Sequence, residues 1–169
     1  MQVFSEKKER QKEEYIEQII LENYNRYYQL AYSYVHNEED ACDIVQNGAY
    51  RALRSNHTLQ SKEYAGTWIY RIMLNEVFRY LKQPKCVSYE ALQEGWKNEI
   101  EYAEDRYLNV DLQRALDLLS VQEKAVIIMK YFEDKKLEEI ADILDENVST
   151  IKSRLYRGVK KLKLKLAEE

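Results

Sequence analysis

The chain has 169 residues, 26 of them basic and 30 acidic, for a formal charge of -4 at neutral pH. That length admits one domain, or two small ones near the lower limit for a self-sustaining core. With 45% hydrophobic and 33% charged residues the composition excludes a disordered chain, and one proline and four glycines favour helices joined by short connections.

No apolar run approaches the roughly 18–20 residues that span a bilayer. The opening stretch MQVFSEKKERQKEEY is too charged for a signal peptide. Cys42 and Cys86 stand alone, which suits a reducing compartment and offers no metal cluster. No metal, cofactor or small-molecule substrate is expected, and no catalytic residues. There is no Gly-rich phosphate loop, and His36 and His57 have no nucleophile motif beside them.

The first periodic segment runs from about Glu14 to Val35. Ile16, Ile19, Ile20, Tyr24, Tyr27, Tyr28, Ala31 and Tyr34 recur at helical spacing, a packed stripe with phenol tips reaching water. His36 and Asn37 end it. Asn37 then caps a second helix with Glu38, Glu39 and Asp40 in its first turn, where carboxylates favour the helix dipole. Ala41, Ile44, Val45, Ala49, Ala52 and Leu53 form its apolar face. Arg54 to Glu63 reads as a loop. A third helix runs from about Tyr64 to Lys82, buried along Ala65, Trp68, Ile69, Ile72, Val77 and Leu81, and Pro84 ends it.

From Gln83 to about Asn109 the pattern weakens and turns acidic, as a linker between two small helical domains would. A short helix follows, with Leu112, Ala115, Leu116 and Leu119. Ser120 to Glu123 has the form of a capping box and opens an apolar helix, Ala125 to Phe132. Leu137, Ile140, Ala141 and Leu144 mark another short helix. The polar turn Asp145-Glu146-Asn147 leads to VSTIKSRLYRGVKKLKLKL, Val148 to Leu166, which holds seven basic residues and no acidic one.

Within that run Val148, Ile151, Leu155, Val159, Leu162 and Leu166 form one apolar stripe. Ser149, Lys152, Ser153, Tyr156, Arg157 and Lys160 lie on other faces, and Ser149 or its neighbour can cap the start. A short helix, a tight turn and a second helix make a helix-turn-helix, whose second helix enters the major groove N-terminus first. Ser149 and Thr150 can donate to phosphates, and Lys152 and Arg157 can reach base edges. The charge alone would equally suit a solvated face or a membrane surface.

At this point the sequence resembles a known family. LSVQEKAVIIMKYFEDKKLEEIADILDENVSTIKSRLYRGVKKLK looks like region four of the extracytoplasmic-function sigma factors of bacterial RNA polymerase, in the sigma-70 family. EEDACDIVQNGAYRAL resembles the family's core-binding helix of region two, and TWIYRIMLNEVFRYLK its promoter-melting helix. The chain departs from the family pattern at Asn47, Gly48 and Ala49, at Lys136 before EEIA, and at Asp145, where the turn usually has Gly. Asp tolerates a left-handed backbone, so the turn is expected to survive.

The resemblance implies an all-α protein of two small helical domains. Residues 1–83 would be region two, 84–109 the linker, and 110–169 the region-four helix-turn-helix. It implies an alternative sigma factor, not an enzyme, acting in transcription initiation in an extracytoplasmic stress response. Its partners would be core RNA polymerase (the clamp of the largest subunit, and the flap), promoter DNA, and an anti-sigma factor anchored in the membrane. No stable homo-oligomer is expected, and the location would be the bacterial cytoplasm. Core polymerase would be bound through Asp40, Asp43, Gln46, Asn47 and Arg51. The minus-ten element would be met by Asn56, His57, Thr58, Leu59 and Gln60 of the loop and Arg71, Asn75, Arg79 and Lys82 of the third helix. The minus-thirty-five element would be read by Ser149, Thr150, Lys152, Ser153, Tyr156, Arg157 and Lys160. Two other readings compete: a stand-alone helix-turn-helix regulator, which leaves the N-terminal motifs without a role, and a membrane-surface protein using the basic tail.

Overall fold

The computed structural model describes residues 1–84 and 105–168, and among these all regular elements are helical. The chain divides into two compact units, Met1–Gln83 and Pro84–Glu169. The expected linker lies almost entirely outside the described residues; its last part, from Asp105, is already helical.

The first unit contains α1 (Gln2–Glu22), α2 (Tyr24–Val35), α3 (Glu38–Arg54), two short 3-10 turns (Asn56–Thr58 and Lys62–Tyr64) and α4 (Ala65–Lys82). The sequence reads α1 and α2 as one helix from Glu14. Instead the helix starts at Gln2 and breaks at Asn23, whose side-chain amide donates to the Ile19 carbonyl at 2.9 Å. An amide that bonds its own backbone competes with the helical ladder, which explains a break without Gly or Pro. His36 ends α2 in the left-handed conformation (φ 53°, ψ 29°), and Asn37 caps α3 by accepting from the Asp40 amide at 2.9 Å.

The core of this unit packs Ile16, Leu30, Ala31, Ile44, Val45, Leu59, Ile69, Met73, Leu74 and Val77 out of solvent. Each large aliphatic side chain so buried contributes about 1.5–3 kcal/mol. On α2, i,i+4 spacing stacks Tyr24, Tyr28 and Tyr32 with ring centroids 6.5 and 6.0 Å apart. Helices α3 and α4 approach closely at Gly48. A Cβ built there would lie 2.4 Å from the Met73 sulfur, so this departure from the family pattern is a packing feature on the buried side of α3.

The second unit contains α5 (Asp105–Asp117), α6 (Val121–Ile127), a π-helical turn (Ile128–Phe132), α7 (Leu137–Leu144) and α8 (Val148–Ala167). The capping box at the start of α6 is complete: Ser120 Oγ accepts from the Glu123 amide at 3.2 Å, and Glu123 accepts from the Ser120 amide at 3.1 Å. The apolar helix expected to reach Phe132 widens into the π turn after Ile127, leaving Tyr131 and Phe132 exposed. Leu116, Leu119 and Ile127 form a core against which Leu112, Leu155, Val159 and Leu162 pack. Gly158 lets α8 lie against α6, because a Cβ there would sit 3.0 Å from Ile127 Cγ1.

Candidate nucleic-acid interface

The C-terminal interface is built on the turn between α7 and α8. Asp145 takes the left-handed conformation (φ 54°, ψ 48°) that ends α7, and the Glu146 amide closes back on the Ala141 carbonyl at 3.0 Å. Asn147 caps α8. Its Oδ1 accepts from the Thr150 amide at 2.8 Å and from the Thr150 hydroxyl at 2.9 Å. The cap is therefore Asn147 and not Ser149, which is the second residue of the helix. Arg154 reaches back across the turn to Glu146, with Nη1 to Oε2 at 2.8 Å. Ile140, Ala141, Ile143 and Ile151 are buried. The turn is thus fixed by backbone, cap, ion pair and apolar contact together.

What remains on the outer face of α8 is a stripe of Ser149, Lys152, Ser153, Tyr156, Arg157 and Lys160, all exposed, with Tyr156 at 75%. Thr150 is a correction. It is half-buried and its hydroxyl proton is committed to Asn147, so it has no hydrogen to donate to a phosphate. The apolar stripe also stops short, since Leu166 is exposed. Lys161 is turned from the outer face toward Glu123, its Nζ 2.8 Å from Oε2. Burial works to raise the Glu123 carboxyl pKa, but hydrogen bonds from Lys161 and the Ser120 amide and the charges of Lys161 and Arg157 hold it below its ordinary value.

In the first unit the expected residues separate into two groups. Asp43, Gln46 and Asn47 stand exposed on α3, and Asn75 and Lys82 on α4. His57, Thr58 and Gln60 are exposed in the loop. Thr58 spends its hydroxyl proton on the Ser55 carbonyl at 2.8 Å, and the remaining candidates also have partners inside the unit. Arg51 on α3 and Arg79 on α4 both reach Glu76, a buried carboxylate, and the Arg79 contact measures 3.1 Å. Both arginines stay about half exposed while joining α3 to α4, because a carboxylate out of water requires its cations. Asp40 accepts from Tyr80; burial first, then that bond and the charges of Asp40 and Asp43, push the phenol well above its ordinary pKa. Arg71 donates to the Tyr64 hydroxyl at 2.9 Å. Two loop candidates are corrected outright. Leu59 is 2% exposed and is a core residue. Asn56 is buried, and its amide donates to Glu13 at 2.9 Å. Neither presents an edge to a base. Trp68 is likewise in the core.

Sequence reading missed Glu13, Tyr15, Glu76, Glu146 and Arg154. Each acts through a partner, and local signals were carried by Glu76, three residues before Arg79 on one helix, and by the Glu146–Arg154 pair around a recognised turn.

Two family profiles match this geometry: "Sigma-70 region 2" over residues 19–85 and "Sigma-70, region 4" over residues 109–162. The chain is 40% identical over 149 residues to the RNA polymerase sigma factor SigV of Bacillus subtilis, covering 85% of this chain and 86% of that one. It is 30% identical over 159 residues to the ECF sigma factor SigE of Mycolicibacterium smegmatis, covering 90% of this chain and 62% of the relative. Two solved structures share the fold. CnrH, in complex with the cytosolic domain of CnrY, has a TM-score of 0.68 at 20% identity, with 91% of this chain and 88% of that one covered. The sigma factor RpoE of Bartonella quintana, in complex with the anti-sigma factor NepR, has a TM-score of 0.67 at 19% identity, with 89% and 96% covered. Region 2 and region 4 matches in this order, on two helical units of which the second is a helix-turn-helix, define a transcription initiation factor. The chain belongs to the sigma-70 family, as an extracytoplasmic-function RNA polymerase sigma factor.

Proposed function

We propose that the two units divide promoter recognition between them. The exposed face of α3, with Asp43, Gln46 and Asn47, docks on the clamp of the polymerase largest subunit. The loop residues His57, Thr58 and Gln60, with Asn75 and Lys82 on α4, receive the opened minus-ten strand, where a base needs a pocket and polar edges. Helix α8 reads the minus-thirty-five duplex through Ser149, Lys152, Ser153, Tyr156 and Arg157, and Lys160 adds phosphate attraction. The acidic segment 84–109 occupies a basic polymerase channel between the two contacts, and the second unit also meets the flap.

The observation that carries this reading is the exposed stripe of α8 on a turn fixed by Asp145, Asn147 and the Glu146–Arg154 pair. The chain acts as an initiation subunit and performs no catalysis of its own. It works in the cytoplasm and is held inactive by an anti-sigma factor anchored in the membrane, released by an extracytoplasmic stress. Among the described residues no helix is long and apolar enough to cross a membrane. Run-off transcription with purified core polymerase and mapped start sites tests the reading. Specific initiation requiring both elements supports it. Tight operator binding without initiation would favour a stand-alone regulator instead.

A further inference from the structure

Most of α1 lies ahead of the region 2 match, which begins at residue 19. Its first ten residues are exposed, Val3 and Phe4 among them, whereas Ile16 and Ile20 are buried in the core of the first unit. Between these two parts α1 touches the loop that joins α3 to α4. Glu13 Oε1 accepts from Asn56 Nδ2 at 2.9 Å, near the start of the loop. The Tyr15 hydroxyl donates to the Lys62 carbonyl at 3.3 Å, near its end. The Lys62 ammonium lies 5.3 Å from the centroid of the Tyr15 ring.

Asn56 is 8% exposed, so its amide has little access to water, and the carboxylate of Glu13 satisfies it with a charge-assisted bond. Leu59, 2% exposed, pins the middle of the same segment. The loop is therefore anchored at both ends and at its centre, and the side chains it leaves outside include His57, Thr58 and Gln60. A loop without such anchors would sample many backbone states, whereas seating a single extruded base requires one shape.

We propose that Glu13 and Tyr15 are positioning residues for minus-ten recognition. They hold the segment from Asn56 to Lys62 in the conformation that receives the non-template base. They thereby set discrimination between minus-ten sequences and leave polymerase affinity unchanged. This rests on reading that loop as the minus-ten reader.

The test uses holoenzyme reconstituted from the full chain and core polymerase, on a promoter library randomised across the minus-ten element. The readout is the ratio of initiation on the best sequence to that on its single mismatches. Glu13→Ala with Tyr15→Phe is expected to narrow this ratio about two- to tenfold, the effect of losing one or two hydrogen bonds. Core affinity should stay unchanged. Glu13→Gln alone, which keeps an oxygen to accept from Asn56, should retain most of the ratio. Gln60→Ala serves as the control within the loop. An unchanged ratio in the double variant, with Gln60→Ala altering it, overturns the positioning role and leaves the loop reading intact. A ratio untouched by Gln60→Ala and by His57→Ala overturns the loop reading itself, and the positioning role with it. Initiation that falls equally on every sequence means that α1 only stabilises the fold, and this also overturns the proposal.

Discussion

Gly48 gives a test whose sign depends on one contact. The residue sits mid-helix in α3, so alanine there should gain about 1 kcal/mol of helix propensity. Against that, the new Cβ would stand 2.4 Å from the sulfur and 3.3 Å from the terminal methyl of Met73, a side chain 1% exposed. Repacking a full core around an added carbon costs about 1–3 kcal/mol. Gly48→Ala should therefore destabilise the first unit by up to about 2 kcal/mol, a fall in Tm of several degrees. In a Met73→Ala background the collision is gone and only the helix gain is left, so the same substitution should then stabilise. Urea unfolding of the full chain with Trp96→Phe lets Trp68, buried in α4, report on the first unit alone. If Gly48→Ala has the same effect in both backgrounds, the close approach of α3 and α4 is not what demands glycine.

Other expectations concern the second unit. Arg157→Ala should weaken initiation that depends on the minus-thirty-five element by about 1–3 kcal/mol, as a lost bidentate base contact would, and leave core binding intact by fluorescence anisotropy. Arg154→Met removes the cation from Glu146 and should cost about 1–3 kcal/mol of stability; adding Glu146→Gln should recover part of it, and a failure to do so in thermal melts would deny the pair its role in the turn. The carboxyl of Glu123 lies below its ordinary value of 4.5 in the folded chain. A depressed carboxylate adds stability that is present above the unfolded value and lost as pH falls through the folded one. Melts of the second unit from pH 6 to 3 should lose that contribution below about 4.5, and Glu123→Gln should make the profile shallower.

Much of the fold was readable because it follows from local chemistry. The Asn37 cap, the Ser120–Glu123 capping box, the left-handed Asp145 and the apolar stripe of α8 as far as Leu162 each depend on residues within a few positions of one another. Most of what escaped depends on burial or on partners distant in sequence. Asn56 looks like a polar loop residue until Glu13, 43 positions away, supplies its acceptor. Arg51 and Arg79 look solvated until Glu76 is buried between them. The break at Asn23 escaped for another reason, since the apolar spacing runs through it and only the side-chain bond to Ile19 interrupts the ladder. The first turns of α1 have no apolar face to read, so periodicity could not find them.

The ion pairs of α8 bear on how its attraction to DNA responds to salt. The helix carries seven basic residues between Val148 and Leu166. Arg154 is neutralised by Glu146, and Lys161 by Glu123. That leaves Lys152, Arg157, Lys160, Lys163 and Lys165 to displace condensed cations from the duplex. Even with all of them engaged, α8 would release about five counterions, so its share of the slope of log K against log salt would be no steeper than about -4.5. Tethering such a helix to a larger assembly raises its effective concentration at the duplex without any new contact. The two internal ion pairs thus do more than hold the fold: they lower the number of α8 cations left to engage a phosphate backbone.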